Sequence, residues 1–188
     1  MSLQPSSIAT LSILSAGSET ALPRWYALYT RSNYEKQVVQ ELTSKGIENY
    51  LPTVKEIHQW KDRKKAVEVP VFRSYVFTRF IDTDSWRLRV LRTSGAVRIL
   101  GGGNGGTIEP ISDVKIESVR RLVNSNLPFA AYPFLREGVR VRVKRGPLKG
   151  TEGRLVRFKG QARLILSIEI LAQSVAAEVD PTDVEICP

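Results

Sequence analysis

Cysteine, histidine and methionine are almost missing from this chain of 188 residues, which has one of each. The lone cysteine, Cys187, stands beside the C-terminus, so no disulfide can close within the chain, and a reducing cytoplasm is the expected setting. With His58 as the sole histidine and no cysteine cluster, a zinc site cannot be assembled. A Ser-His-Asp triad would have to use His58, and no G-x-S-x-G elbow accompanies it. No run approaches the roughly 18 apolar residues of a membrane-spanning helix. Residues 1–23 lack a basic residue ahead of their apolar stretch, and Ser and Thr interrupt it. They read as a flexible tail and not as a signal peptide. Gly101–Gly106 formally matches G-x-G-x-x-G, but Thr107-Ile108-Glu109-Pro110 intervenes before any helix, and the Gly-Lys-Ser/Thr of a phosphate loop is absent. The expectation is a protein that is not an enzyme, with no catalytic residue, no cofactor and no metal.

What is present is a hydrophobic content of 42% and a charged content of 25%, ordinary for a folded chain. The formal net charge is +9, and it is concentrated. Residues 136–163 hold ten Lys/Arg against Glu137 and Glu152, a net of +8, so the other 160 residues are nearly neutral. A local basic block points to an acidic or polyanionic partner.

Aromatic Trp25–Tyr29 predicts a strand. A helix follows, with Tyr34, Val38 and Leu42 on one face, a capping box at Ser32 and Glu35, and Gly46 at its end. Ile47–Ile57 reads as a strand marked by Pro52, and His58–Lys65 as a basic hairpin tip or exposed loop. Ala66–Ile81 carries strand character, Asp84–Arg92 a short helix, and Val97–Leu100 a short strand. Ser112 opens a helix with Ile116, Val119 and Val123 on its apolar face. Beyond it the character changes. Val139, Val141 and Val143 alternate with Arg140, Arg142 and Lys144, as a half-buried strand requires. Five short strands in about 50 residues predict a small barrel. The organisation is therefore a tail (1–23), an α+β domain (24–124), a linker (125–134) and an all-β domain (135–188).

Two segments carry a family resemblance. Arg136–Val156, with Gly146-Pro147-Leu148-Lys149-Gly150 and then Gly153, resembles the KOW motif. Pro147 pre-sets the turn, and Gly150 and Gly153 permit conformations closed to other residues. Trp25–Tyr29, Tyr50-Leu51-Pro52, Val69–Phe77, Thr93–Leu100 and Pro110–Asp113 resemble the N-terminal domain of NusG-type transcription elongation and antitermination factors. Arg73-Ser74 stands where that family has Pro-Gly. The resemblance covers about residues 24–186 and, through Lys61–Lys65 and Leu166–Asp180, is closest to UpxY/RfaH-like specialised paralogues, with a housekeeping NusG as the nearer alternative. A ribosome-associated or general RNA-binding KOW protein is the alternative.

The resemblance implies an N-terminal antiparallel sheet with three flanking helices, then a KOW barrel, in a cytoplasmic monomer that does not enter a membrane. It implies that the N-terminal domain docks on the clamp helices of RNA polymerase and suppresses pausing or termination. Phe72 is then the centre of the docking surface, with Tyr75, Phe77, Tyr29 and Ile99 around it and Trp86 against the opposing lobe. Arg31, Arg87, Arg89 and Arg92 are placed toward non-template DNA. The KOW residues are Gly146, Leu148, Lys149, Gly150 and Gly153. The basic face (Arg140, Arg142, Lys144, Lys149, Arg154) is expected to serve protein recruitment, with termination factor Rho or a small-subunit ribosomal protein as partner.

Overall fold

The computed structural model describes residues 22–187, apart from 60–63, 102–106, 126, 133–137, 159 and 169–170. Nearly all of the expected tail, most of the glycine loop and the tip of the basic stretch therefore lie outside the described residues.

The N-terminal half runs β1 (Arg24–Thr30), α1 (Glu35–Ser44), β2 (Glu48–Tyr50), β3 (Thr53–Gln59), β4 (Lys64–Pro70), β5 (Tyr75–Phe80), α2 (Asp84–Leu91), β6 (Ala96–Ile99) and α3 (Asp113–Asn124). Four of these strands form an antiparallel sheet in the order β2-β5-β1-β6. The C-terminal half runs β7 (Phe129–Tyr132), β8 (Val139–Val143), β9 (Glu152–Phe158), β10 (Gln161–Ile168), β11 (Gln173–Glu178) and β12 (Val184–Ile186). These form one sheet in the order β12-β8-β9-β10-β11-β7. The architecture is the expected α+β one: a sheet with three helices, then an all-β region. Among the described residues no helix is long and apolar enough to cross a membrane.

Alternation along β1 and β5 gives the first sheet two apolar faces, each with its own cover. On one face Tyr26, Leu28, Val76 and Phe80 pack with Val38 and Leu42 of α1, Val90 of α2 and Ile99. On the other, Trp25, Ala27 and Phe77 share a core with Ile116, Val119 and Leu122 of α3. That second core continues without a break into the C-terminal sheet through Val141, Leu148, Leu164 and Leu166.

Three local expectations are corrected. The strand read over Ile47–Ile57 is cut at Pro52, which has no N–H to give a ladder. β2 joins the main sheet, while β3 leaves it and pairs only with β4. The capping box at Ser32 and Glu35 is not formed. Tyr34 occupies the cap, and the Glu35 carboxylate accepts from the Ser74 backbone N–H at 2.7 Å. Finally, part of the expected linker is a strand. β7 pairs with β11 from Phe129↔Ala177 to Tyr132↔Ser174, adding a sixth strand to the five expected.

Candidate functional site

The face of the first sheet that looks toward the C-terminal half is built from aromatics in register. Tyr29 of β1 lies opposite Tyr75 of β5, with ring centroids 5.4 Å apart. Tyr50 of β2 lies opposite Phe77, stacked at 6.3 Å. Phe72, in the turn between β4 and β5, meets Phe77 edge-on at 5.9 Å. One cation reaches into this face from α3: the Arg120 guanidinium sits 5.3 Å from the Trp25 ring centre and 4.8 Å from that of Tyr50. Burial pushes the Tyr50 phenol up to about 12, although the nearby Arg120 charge pulls the other way. Arg98 of β6, the register partner of Tyr29, lies 5.7 Å over its ring.

Sequence patterning did not mark Arg120, Trp25, Tyr50 or Arg98 as a set. The available signal was Arg120 itself, four residues beyond Ile116 on the apolar stripe of α3, where a long stem can pack while the head finds π-faces. Arg120→Ala should cost about 1 kcal/mol of folding stability. Denaturant unfolding followed by tryptophan fluorescence measures this; an unchanged midpoint would show that the ring contacts contribute nothing.

The residues proposed for polymerase docking fall into two groups. Tyr29, Tyr75, Phe77 and Phe72 belong to the aromatic face. Ile99 does not: it pairs with Leu28 and points into the helix-covered core, because it sits on the other parity of the strand pair. Trp86 also packs at the margin of that core, with Arg89 over its ring at 5.2 Å. The exposure expected for Phe72 is corrected as well. It is 1% exposed, in the core that α3 and the C-terminal sheet share. This aromatic face is covered by α3 and by the chain's own C-terminal half. Tyr29 and Tyr75 remain half-buried at its margin.

The four arginines placed toward DNA also divide. Arg31 and Arg92 are exposed. Arg87 is engaged by both carboxylate oxygens of Asp82, at 2.6 and 3.0 Å, which raises its already high pKa. Arg89 donates to the Lys45 carbonyl. A side chain held in this way serves its own fold first, and its long stem and planar head make it suited to that.

The turn at Arg73-Ser74 has a direct explanation. Ser74 adopts φ +63°, the left-handed region where a glycine is at ease. Serine stays there because Glu35 accepts its N–H, Thr30 donates to its carbonyl at 2.9 Å, and its hydroxyl lies 3.3 Å from that of Ser32. In the C-terminal half, Gly146 and Gly150 take φ +78° and +79° and close the turn that buries Leu148. Lys149 is exposed, but its carbonyl accepts from Arg121 of α3 at 3.1 Å. Gly153 has no positive φ. It is needed because a Cβ there would lie 2.6 Å from the Ile165 carbonyl oxygen, so its part in the motif is close approach and not conformational freedom.

The described residues thus bring together an aromatic sheet face and, in the C-terminal half, a KOW-like turn. The family model for NusG, described as transcription termination factor nusG, matches residues 23–120. The chain belongs to the NusG family. It is 25% identical over 180 residues to the transcription termination/antitermination protein NusG of Borreliella burgdorferi, covering 86% of this chain and 97% of that one. It is 24% identical over 176 residues to its namesake in Pseudomonas aeruginosa, covering 86% and 97%. A solved structure of Thermotoga maritima NusG, described by its domain interaction, aligns with TM-score 0.48 and 18% identity over 88% of this chain and 98% of that one.

Proposed function

We propose that this protein is a transcription elongation and antitermination factor. It binds the clamp helices of RNA polymerase through the aromatic face of its N-terminal sheet and suppresses pausing or termination. It recruits a further factor through its KOW region. The observation that carries the reading is the aromatic face itself: Tyr29 and Tyr75, paired and half-buried, at the margin of a core closed only by α3 and the C-terminal half. Aromatics at such margins tend to dominate binding energy. Docking over Phe72 and Phe77 requires the C-terminal half to yield first, so full exposure of the face is coupled to partner binding. The exposed Arg31 and Arg92 are the pair best suited to contact non-template DNA. The KOW region offers exposed Arg140, Arg142 and Lys144 to Rho or to a small-subunit ribosomal protein. The UpxY/RfaH-like subtype belongs to this proposal and not to the family assignment.

The test is affinity for purified RNA polymerase core enzyme. Tyr75→Ala should lose about 2 kcal/mol, roughly thirtyfold in dissociation constant, with a much smaller change in melting temperature. Wild-type affinity for Tyr75→Ala, or failure of the wild-type chain to bind polymerase, would defeat the proposal.

A further inference from the structure

Between the first turns of α3 and strands β8 to β10 lies a cavity of about 470 Å³. That is within the size range of small-molecule sites, roughly 300–1,000 Å³, which favour domain junctions. Its cationic wall comes from both halves of the chain: Lys115 of α3, Arg140 of β8 and Arg154 of β9. Val114 and Ile165 supply apolar lining, and Cys187 stands at its wall.

The β8–β9 ladder makes this wall unusual. On one rung Arg142 faces Glu152, and the two are ion-paired at 3.0 Å. Glu152 also lines the cavity, so its charge is already compensated. On the next rung but one Arg140 is the register partner of Arg154, so two arginines of the same charge stand opposite each other on the ladder. Like charges so placed are destabilising. Arg154 donates to the Gly138 carbonyl at 3.1 Å, which satisfies a hydrogen bond without neutralising charge. The side chain of Arg140 has no ion pair among the described residues. Lys115 adds a third positive charge from across the domain junction. Among the described residues this rung has no counterpart of the Arg142–Glu152 ion pair on the same ladder.

We propose that the cavity is a binding site for a small polyphosphate anion of the nucleoside di- or triphosphate class. The phosphates lie among Arg140, Arg154 and Lys115, and the rest of the molecule lies against Val114 and Ile165. Charge-assisted contacts from guanidinium to phosphate are the strong kind, and here they relieve a repulsion already built into the ladder. Because the walls come from both halves, the ligand binds the closed arrangement better than an open one and shifts the population toward it. The site would tie exposure of the aromatic face to nucleotide supply.

Cys187 provides the measurement, as the only cysteine in the sequence. Its alkylation by N-ethylmaleimide is followed in the full chain during titration with ATP, with sodium pyrophosphate, and with sodium chloride at matched ionic strength. ATP and pyrophosphate should each slow the reaction saturably, roughly tenfold once the ligand exceeds its dissociation constant about tenfold. Arg140→Gln, at an exposed position, should melt no lower than the parent, because it removes one charge of the like-charged rung, and should lose the protection; Arg154→Gln is a second variant that should lose the protection too. No protection, equal protection by sodium chloride, or protection that survives both substitutions would overturn the proposal. Protection by a short single-stranded oligonucleotide but not by ATP would overturn it too, by assigning the wall to a nucleic-acid strand.

Discussion

Replacing Phe72 by alanine should destabilise the full chain by about 3–5 kcal/mol, the usual loss for a large aromatic removed from a packed core. Phe72 is among the largest fully buried side chains and touches the equally buried Phe77 edge-on. Its removal leaves a cavity in a core that the two halves of the molecule share. Urea unfolding followed by tryptophan fluorescence, to which the buried Trp25 contributes, reads the loss. A variant that unfolds at the parental midpoint would mean that the two halves stand apart in solution and that Phe72 faces water. Polymerase affinity alone would not separate these outcomes, because both weaken it.

Gly153→Val should be nearly as damaging, at about 3 kcal/mol, through overpacking rather than cavity formation. An added Cβ would meet the Ile165 carbonyl oxygen at 2.6 Å and the Leu164 and Leu166 side chains at 3.0 Å. A backbone oxygen cannot swing aside, so β9 and β10 would have to separate where they are paired. Gly146→Ala is the matched control. It meets nothing within 4 Å and bears only the left-handed backbone cost, about 1–2 kcal/mol. Thermal unfolding of both variants should rank Gly153→Val well below Gly146→Ala; the reverse order would refute the close-approach account.

Much of the fold was legible because local rules were obeyed. The period-two alternation of Val139, Val141 and Val143 placed β8, and the regular apolar spacing of Ile116 and Val119 placed α3. Gly46 ended α1 with φ +69° as a left-handed cap should. The errors came where tertiary partners outbid local ones. Glu35 was expected to cap its own helix and instead holds a turn 39 residues away. Phe129–Tyr132 lacks helical pattern and looked like a linker, but it finds β11.

The docking set was legible in type and not in exposure. Aromatic clustering at Tyr29, Tyr75 and Phe77 was plain from the residues. That the cover of this face continues from α3 into the chain's own C-terminal half is a long-range fact which no local spacing encodes. Arg87 and Arg89 illustrate the same limit, since nothing in Trp86-Arg87-Leu88-Arg89 announces Asp82 or the Lys45 carbonyl as their partners.

The edge position of β7 has a mechanical consequence. Only residues 125–128 separate the end of α3 from the start of β7. Fully extended, so few residues reach no more than about 18 Å. With β7 in place, the halves cannot part widely. Stripping β7 from β11 breaks four register pairs; the chain from Asn124 to Val139 could then span at most roughly 50 Å. A four-residue ribbon at the rim of the sheet therefore acts as a two-position catch on the reach of the C-terminal half. Short reach keeps the local concentration of each half at the other's surface very high, and letting go of one edge strand dilutes it by an order of magnitude or more.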